Sequence, residues 1–194
     1  MKPPRQIALA TLLALPAFGG EAGILASRLV GQAQTAVGGG RYEDVSPTGT
    51  GFRVGWSLLD LKVIDLSINA TYQPKAKADL TLNGAKVGTY GVEYAAVGAQ
   101  FDFKLLVNLN VGAEVRQERL TWDLINGGPA ESTQSRPWLR GGIGFSIPTP
   151  VLSPFVRLEV ALPASQKDRT DTPTEVRKAL APKAQFGVYV GTRF

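Results

Sequence analysis

The chain has 194 residues, a net charge of +5, 44% hydrophobic and 19% charged residues, and neither cysteine nor histidine. Without cysteine there is no disulfide framework, thiolate nucleophile or zinc knuckle, and without histidine the commonest general base and metal ligand are missing. The hydrophobic content excludes wholesale disorder, and the length fits one domain or two. Because the mean hydropathy is +0.00, the question is where the apolar residues face.

The start of the chain has the layout of a secretory signal peptide. Lys2 and Arg5 lie in a first segment without acidic residues, and the stretch 7–18 that follows is almost entirely apolar. Small residues come next, as the narrow subsites of signal peptidase require. We therefore expect 1–20 to be a signal peptide and 21–194 to be the exported domain.

The rest of the chain alternates between apolar and polar residues, which is the period of a β-strand with two different faces. In the stretch 64–73, apolar residues hold the even positions and polar residues the odd ones. A weaker strand is predicted at 28–37, with Leu29 on its apolar face and Arg28 on its polar face. Seven clear strands are predicted at 52–58, 64–73, 95–104, 107–116, 138–147, 155–162 and 183–194.

Long and short connections alternate between these eight strands, which predicts an up-and-down meander with all long loops at one end. The long ones are 38–50, 74–91, 120–135 and 163–182, and the short ones lie near 60–62, 104–106 and 148–153. Eight strands close such a meander into a barrel, which removes exposed strand edges. Strands of about ten residues match the length needed to cross a bilayer. The predicted fold class is therefore all-β, an eight-stranded antiparallel up-and-down transmembrane β-barrel.

Alternation alone does not decide which face of the barrel lies outside. A soluble lipocalin-like barrel buries the apolar set around a ligand, whereas a membrane barrel turns it toward lipid around a polar lumen. The polar faces carry charges of both signs, which a narrow lumen must pair: Arg53, Asp65, Asp102, Glu114, Arg116, Arg140, Arg157, Glu159 and Arg193. Aromatic residues on the apolar faces lie near strand ends and indicate interfacial girdles: Phe52, Trp56, Tyr72, Phe101 and Phe103. Both features favour the membrane.

The last strand carries a family resemblance. It is amphipathic and ends in Phe194, with Phe186, Val188 and Val190 at alternating positions before it. This strand resembles the C-terminal signature of bacterial outer-membrane β-barrel proteins, although Thr192 stands where a larger apolar residue is more usual. The mature chain resembles the small OmpA-like and OmpX-like barrels. The resemblance implies an outer-membrane location after export, short periplasmic turns, long extracellular loops, and recognition of Phe186, Val188, Val190 and Phe194 by the barrel-assembly machinery.

No catalytic site, cofactor or metal is predicted. The lipid A palmitoyltransferases and deacylases are barrels of similar size, but each relies on a histidine beside a serine, which this chain lacks. Glu114 and Glu118 share one predicted face, and we interpret them as partners of Arg116 or Arg140 rather than as a catalytic pair. Nucleic-acid binding is not predicted, because the charges are scattered without interleaved aromatic residues.

The predicted function is that of a non-enzymatic, monomeric outer-membrane protein with an envelope-structural or surface-interaction role. Its expected partners are outer-membrane lipid and lipopolysaccharide, together with the assembly machinery. Basic residues of the predicted loops, among them Lys75, Lys77 and Lys86, suit lipopolysaccharide phosphates or a host or phage surface. Two alternatives stay open at this point: a narrow pore for ions or small solutes, and a periplasmic lipocalin-like carrier.

Overall fold

Eight strands form the part of the chain that the computed structural model describes, residues 19–31, 46–61, 63–105, 107–125, 128–164 and 181–194. They are β1 (Gly20–Val30), β2 (Thr48–Asp60), β3 (Ile64–Leu82), β4 (Ala85–Phe103), β5 (Asn108–Leu124), β6 (Gly128–Ser146), β7 (Ser153–Pro163) and β8 (Ala184–Arg193). Each pairs antiparallel with the next and β1 pairs with β8, which closes the barrel and confirms the predicted fold class. These ranges hold no helix that is both long and apolar enough to cross a membrane.

The barrel is apolar outside and polar inside over most of its height. We call the end with the short turns the lower end and the opposite end the upper end. Along β7, Val156, Leu158 and Val160 are exposed, whereas Arg157 and Glu159 are buried in the lumen. The predicted faces of β2 and β5 have the same orientation. A lipocalin-like carrier requires the opposite orientation, so this arrangement argues against it.

Two connections that the sequence predicts as long loops consist of strands. The stretch 74–91 belongs to β3 and β4, which are joined by a turn of only two residues, Asn83 and Gly84. Both have positive φ, 51° and 79°, as the Asn-Gly type I′ hairpin turn requires. In the stretch 120–135, residues 120–124 belong to β5 and residues 128–135 to β6, and the two strands stay paired up to Leu124. The loop predictions are wrong here because polar residues on one face give these strands the composition of a loop.

The first strand also differs from its prediction. β1 lies before most of the predicted strand 28–37, of which 32–37 is outside the described residues. Leu29 is buried inside the barrel and Arg28 is exposed outside it, so the predicted orientation of this strand is wrong. Its alternation starts earlier, at the buried Glu21. Apolar residues on both faces of β1 hide this period in the sequence.

The strands β3 to β6 rise above the others, and there the polarity of their two faces inverts. On β4 the outward side chains change from the exposed Val97 to Glu93 and Thr89, while the inward ones become Tyr94 and Val92. The inward side chains join one buried cluster, formed by Leu29, Leu80, Tyr90, Val92, Tyr94, Ala96, Leu120 and Trp122. A polar exterior around an apolar interior is the arrangement of a protein in water. We call this part of β3–β6 the extension.

Candidate functional site

An ion-pair network fills the lumen below the extension. Arg53 on β2 donates to both carboxylate oxygens of Glu159 on β7, at 2.8 Å. Arg157 lies 3.0 Å from Asp102 and 3.3 Å from Glu21. All five side chains are more than nine-tenths buried, so each charge depends on its partners for stabilisation. The sequence predicts four of them, and it misses Glu21 because the predicted first strand starts too late.

Aromatic rings and a further arginine close the lower end of this network. Arg193 on β8 lies 3.1 Å from Asp102. The rings of Phe155 and Tyr189 meet edge to face with their centres 5.0 Å apart, and the Arg157 guanidinium lies 5.0 Å from the Phe155 centre. Ring faces attract a guanidinium and so add to the contacts that Arg157 makes with its carboxylates. Side chains therefore occupy the lower lumen.

A second group of charges surrounds Glu114 on β5. Its two carboxylate oxygens accept hydrogen bonds from Arg116 at 2.5 Å and from Arg140 at 2.8 Å. The Arg116 guanidinium also lies between two rings, 4.5 Å from the centre of Tyr94 and 4.0 Å from that of Trp138. Both oxygens of Glu114 are thus engaged by cations, which opposes a role in proton transfer.

Glu118 has a different arginine as its partner. Arg136 on β6 lies 2.7 Å from it, and Gln134 donates a hydrogen bond to it at 2.7 Å. Arg136 also donates to the Pro182 carbonyl at 2.9 Å. Glu114 and Glu118 therefore pair with different arginines, and they do not form a carboxylate pair. The sequence misses Arg136 because it lies beside a stretch predicted as a loop.

Asp65 is the predicted lumen charge that lies apart from both groups. It accepts a hydrogen bond from Ser57 at 2.7 Å and lies 3.9 Å from Lys104. Lys104 is also paired with Asp60. Because these residues flank the short turns, Asp65 belongs to the lower mouth of the barrel and not to the central network.

The buried and partly buried charges that point inward from the described strands are equal in number. Six are arginines and six are carboxylates: Arg53, Arg116, Arg136, Arg140, Arg157 and Arg193, with Glu21, Asp65, Asp102, Glu114, Glu118 and Glu159. An eight-stranded barrel has an interior only wide enough for side chains to fill it. The balanced set therefore packs the lumen without leaving a fixed excess charge there.

The predicted girdle residues all lie on the outer face of the barrel. Phe52 and Tyr72 are direct cross-strand neighbours toward the upper end. Trp56, Phe101 and Phe103 lie toward the short turns. Four of the five are exposed and Trp56 is half-buried. Two levels of aromatic side chains thus bound an apolar outer surface.

The residues predicted as an assembly signal form one outward row on β8. Phe186, Val188 and Val190 are exposed, and Phe194 follows the end of the strand. β8 pairs with β7 on one side and with β1 on the other, so this strand forms the seam at which the barrel closes. The row is directed away from the lumen, toward whatever surrounds the barrel.

Solved outer-membrane proteins have the same fold. The sequence matches no protein-family model and no curated protein. The structure is similar to that of Ail, the attachment invasion locus protein of Yersinia pestis, with a TM-score of 0.50 and 13% identity over 91% of this chain and 97% of that chain. Neisserial surface protein A gives a TM-score of 0.49 and 15% identity, covering 90% of this chain and 94% of that one. The outer membrane protein AlkL gives 0.41 and 11%, covering 91% and 90%. The chain has the fold of small eight-stranded outer-membrane β-barrel proteins.

Proposed function

We propose that the chain is an integral outer-membrane barrel with a closed lumen, which serves the envelope as a non-enzymatic structural or surface-interaction protein. The observation that carries this proposal is the inversion of polarity along β3–β6. Where apolar residues point outward, the barrel matches lipid, and where they turn inward above Val97 and Tyr72, it matches water. A protein wholly in water has no use for that apolar band, because exposed apolar surface of this extent promotes association.

The contents of the lumen support closure rather than a pore. A permeating ion has to separate buried arginine–carboxylate pairs, which leaves charges in the lumen without their partners. Above the pairs lies the apolar cluster, in which Leu80, Leu120 and Trp122 are buried. An apolar constriction resists wetting and therefore ion passage. We found no feature of the described lumen that favours conduction.

The same proposal includes three further points: the N-terminal segment directs export, the barrel-assembly machinery inserts the barrel, and the protein is a monomer. Gly20 and Phe194 exchange two backbone hydrogen bonds, of 2.9 and 3.0 Å, which join the start of β1 to the end of β8. Processing should therefore retain Gly20 and the buried Glu21, so we propose cleavage at the Gly19–Gly20 bond, one residue before the start at 21 that the sequence predicts. The outward row of β8 is available to the barrel-assembly machinery. Within the apolar band every strand is paired on both sides, so the closed ring leaves no strand edge there for a second copy.

Cell fractionation combined with intact mass tests the proposal. We expect the protein in the outer-membrane fraction, with heat-modifiable mobility on a detergent gel and a mass that begins at Gly20. An unheated and a boiled sample of the same fraction serve as the matched pair, because only a folded barrel changes its mobility on boiling. Recovery in the soluble periplasm without detergent contradicts the location, and a mass beginning after Glu21 contradicts the processing site.

A further inference from the structure

The extension carries a pocket on its outer face, just above the upper aromatic residues. Its volume is about 590 Å³, within the range of small-molecule sites. Gly91 on β4 and Thr121 on β5 are direct neighbours and form its floor. Lys75 and Lys77 from β3 line one side, and Arg119 lies on the other. The pocket is outside the barrel and separate from the lumen network.

Glycine at position 91 leaves room for one of the lysines. A Cβ atom at Gly91 would lie 2.5 Å from Cε of Lys75 and 2.8 Å from Oγ1 of Thr121. The Lys75 stem therefore crosses β4 over Gly91, toward Thr121. This crossing directs the side chain into the pocket instead of along its own strand.

The two lysines differ from the other basic residues of the extension. Arg119 lies 2.6 Å from Glu131, and Lys86 near the hairpin tip lies 2.7 Å from Asp79. No carboxylate of the described residues lies within ion-pair distance of Lys75 or Lys77. The pocket thus holds two ammonium groups that no ion pair with a described carboxylate engages.

Carboxylates complete the pocket at its foot and at its top. Glu93 at the foot accepts a hydrogen bond of 2.6 Å from the hydroxyl of Tyr72, a residue of the upper girdle. Asp123 lies at the opposite end. Ammonium groups bind phosphate, and carboxylates accept hydrogen bonds from hydroxyls. A phosphorylated sugar offers both groups, and the contact with Tyr72 places the pocket at the height of lipid head groups.

We propose that this pocket binds the phosphorylated saccharide head group of a lipopolysaccharide molecule in the adjoining leaflet. Lys75 and Lys77 hold a phosphate, while sugar hydroxyls donate hydrogen bonds to Glu93 and Asp123. The acyl chains then lie along the apolar outer face below Tyr72. This inference rests on the proposed outer-membrane location and names the partner of its surface.

Titration of the detergent-solubilised full chain with bis-phosphorylated lipid A, read by native mass spectrometry, tests the pocket. We expect the Lys75→Gln, Lys77→Gln double variant to bind about thirtyfold more weakly than the wild type, because two basic contacts are lost. Lys86→Gln is the matched control, since it removes a paired lysine of the same extension, and it should bind like the wild type. Both pocket lysines are exposed, so the variants should fold, and heat-modifiable mobility verifies this.

Four further ligands separate the sources of the binding: three variants of the lipid and phosphate chemistry, and a heparin fragment. Dephosphorylated lipid A, phosphatidylglycerol and inorganic phosphate should each bind more weakly than lipid A. The proposal is overturned if the double variant binds lipid A as tightly as the wild type does, or if the wild type binds phosphatidylglycerol as tightly as lipid A. Tighter binding of a heparin fragment than of lipid A assigns the pocket to soluble anionic polysaccharides instead. Fractionation of the wild type tests the location separately. If the chain is absent from the outer membrane, the location fails while the titration still decides the pocket.

Discussion

At the residue scale, the lumen depends on properties that arginine has and lysine lacks. Arginine is the only basic residue that points inward from the described strands. Its planar guanidinium can bind two oxygens at once and can stack on rings, whereas an ammonium is a compact point charge. Arg53 shows the first property, because it donates to both oxygens of Glu159. Arg116 shows the second, because it lies between Tyr94 and Trp138 while it donates to Glu114. A lumen too narrow for water to solvate its charges needs such contacts.

The Arg53–Glu159 pair offers a direct measure of this dependence. Glu159→Gln leaves Arg53 buried without its carboxylate, and we expect the free energy of unfolding to fall by about 3–5 kcal/mol. The measurement is a urea titration in detergent, followed by the folded band on an unboiled gel.

The control is the double variant Arg53→Met, Glu159→Gln, in which no buried charge is left unpaired. It should recover most of the lost stability, because the cost arises from the uncompensated arginine. Strictly additive losses from the two substitutions contradict a direct pairing of these residues.

At the scale of elements, the polarity of each strand face matches the environment of the barrel at that height. On β5 the outward Val111 and Val115 are exposed, whereas higher up the outward residue is Arg119 and the inward one is the buried Leu120. The period of two is unchanged, but the face that carries the apolar residues has switched. A strand that leaves lipid for water must make this switch. Within the membrane, apolar side chains are stable on the outer face in contact with lipid, whereas above the membrane they are stable only in the interior of the barrel.

Arginine on the apolar outer face tests this assignment. Val111→Arg or Val190→Arg near the middle of the band should cost about 2–4 kcal/mol and reduce the folded fraction in the membrane. Thr133→Arg is the control, because Thr133 is exposed on the outer face of β6 beside Arg119, above the band. The measurement is the heat-modifiable fraction of each variant. Equal folding of all three variants is the outcome that contradicts a lipid-facing band.

The same switch explains what the sequence can and cannot reveal. β7 and β8 are predictable, because the outward positions of each are apolar along almost the whole strand and the charged residues lie on the inward face. The extension is missed because Lys75 and Lys77 take the outward positions that apolar residues hold lower down, and the stretch then looks like a loop. β1 is missed because Leu25 and Leu29 are buried inside while Ile24 is exposed outside. Contrast between faces, and not strand formation, is what periodicity detects.

At the scale of the whole molecule, two layers of side chains fill the barrel along its axis, one of ion pairs and one of apolar residues. Ion pairs occupy the lower and middle lumen, and the apolar cluster around Leu80, Leu120 and Trp122 lies above them. The first layer has no net fixed charge in its described part, and the second offers no polar partner to an ion. Closure is therefore distributed over the height of the barrel and does not depend on one constriction.

Conductance is the measurement at this scale. Purified protein in a planar bilayer should produce no single-channel steps, because both layers block ions. The Leu120→Ala, Trp122→Ala variant opens the apolar layer and leaves the ion pairs in place, so it should also be silent. Discrete steps from the wild type contradict the closed lumen, and steps from the variant alone assign closure to the apolar layer.

The two-residue turn at Asn83 and Gly84 has a practical consequence. It is the tip of a hairpin that stands clear of the apolar band, and lower down both of its strands are paired on both sides. The turn itself contributes no residue to the ring of strands within the band. A foreign peptide inserted between Asn83 and Gly84 would therefore be displayed at a distance from the lipid surface, on a stem whose register the barrel already fixes.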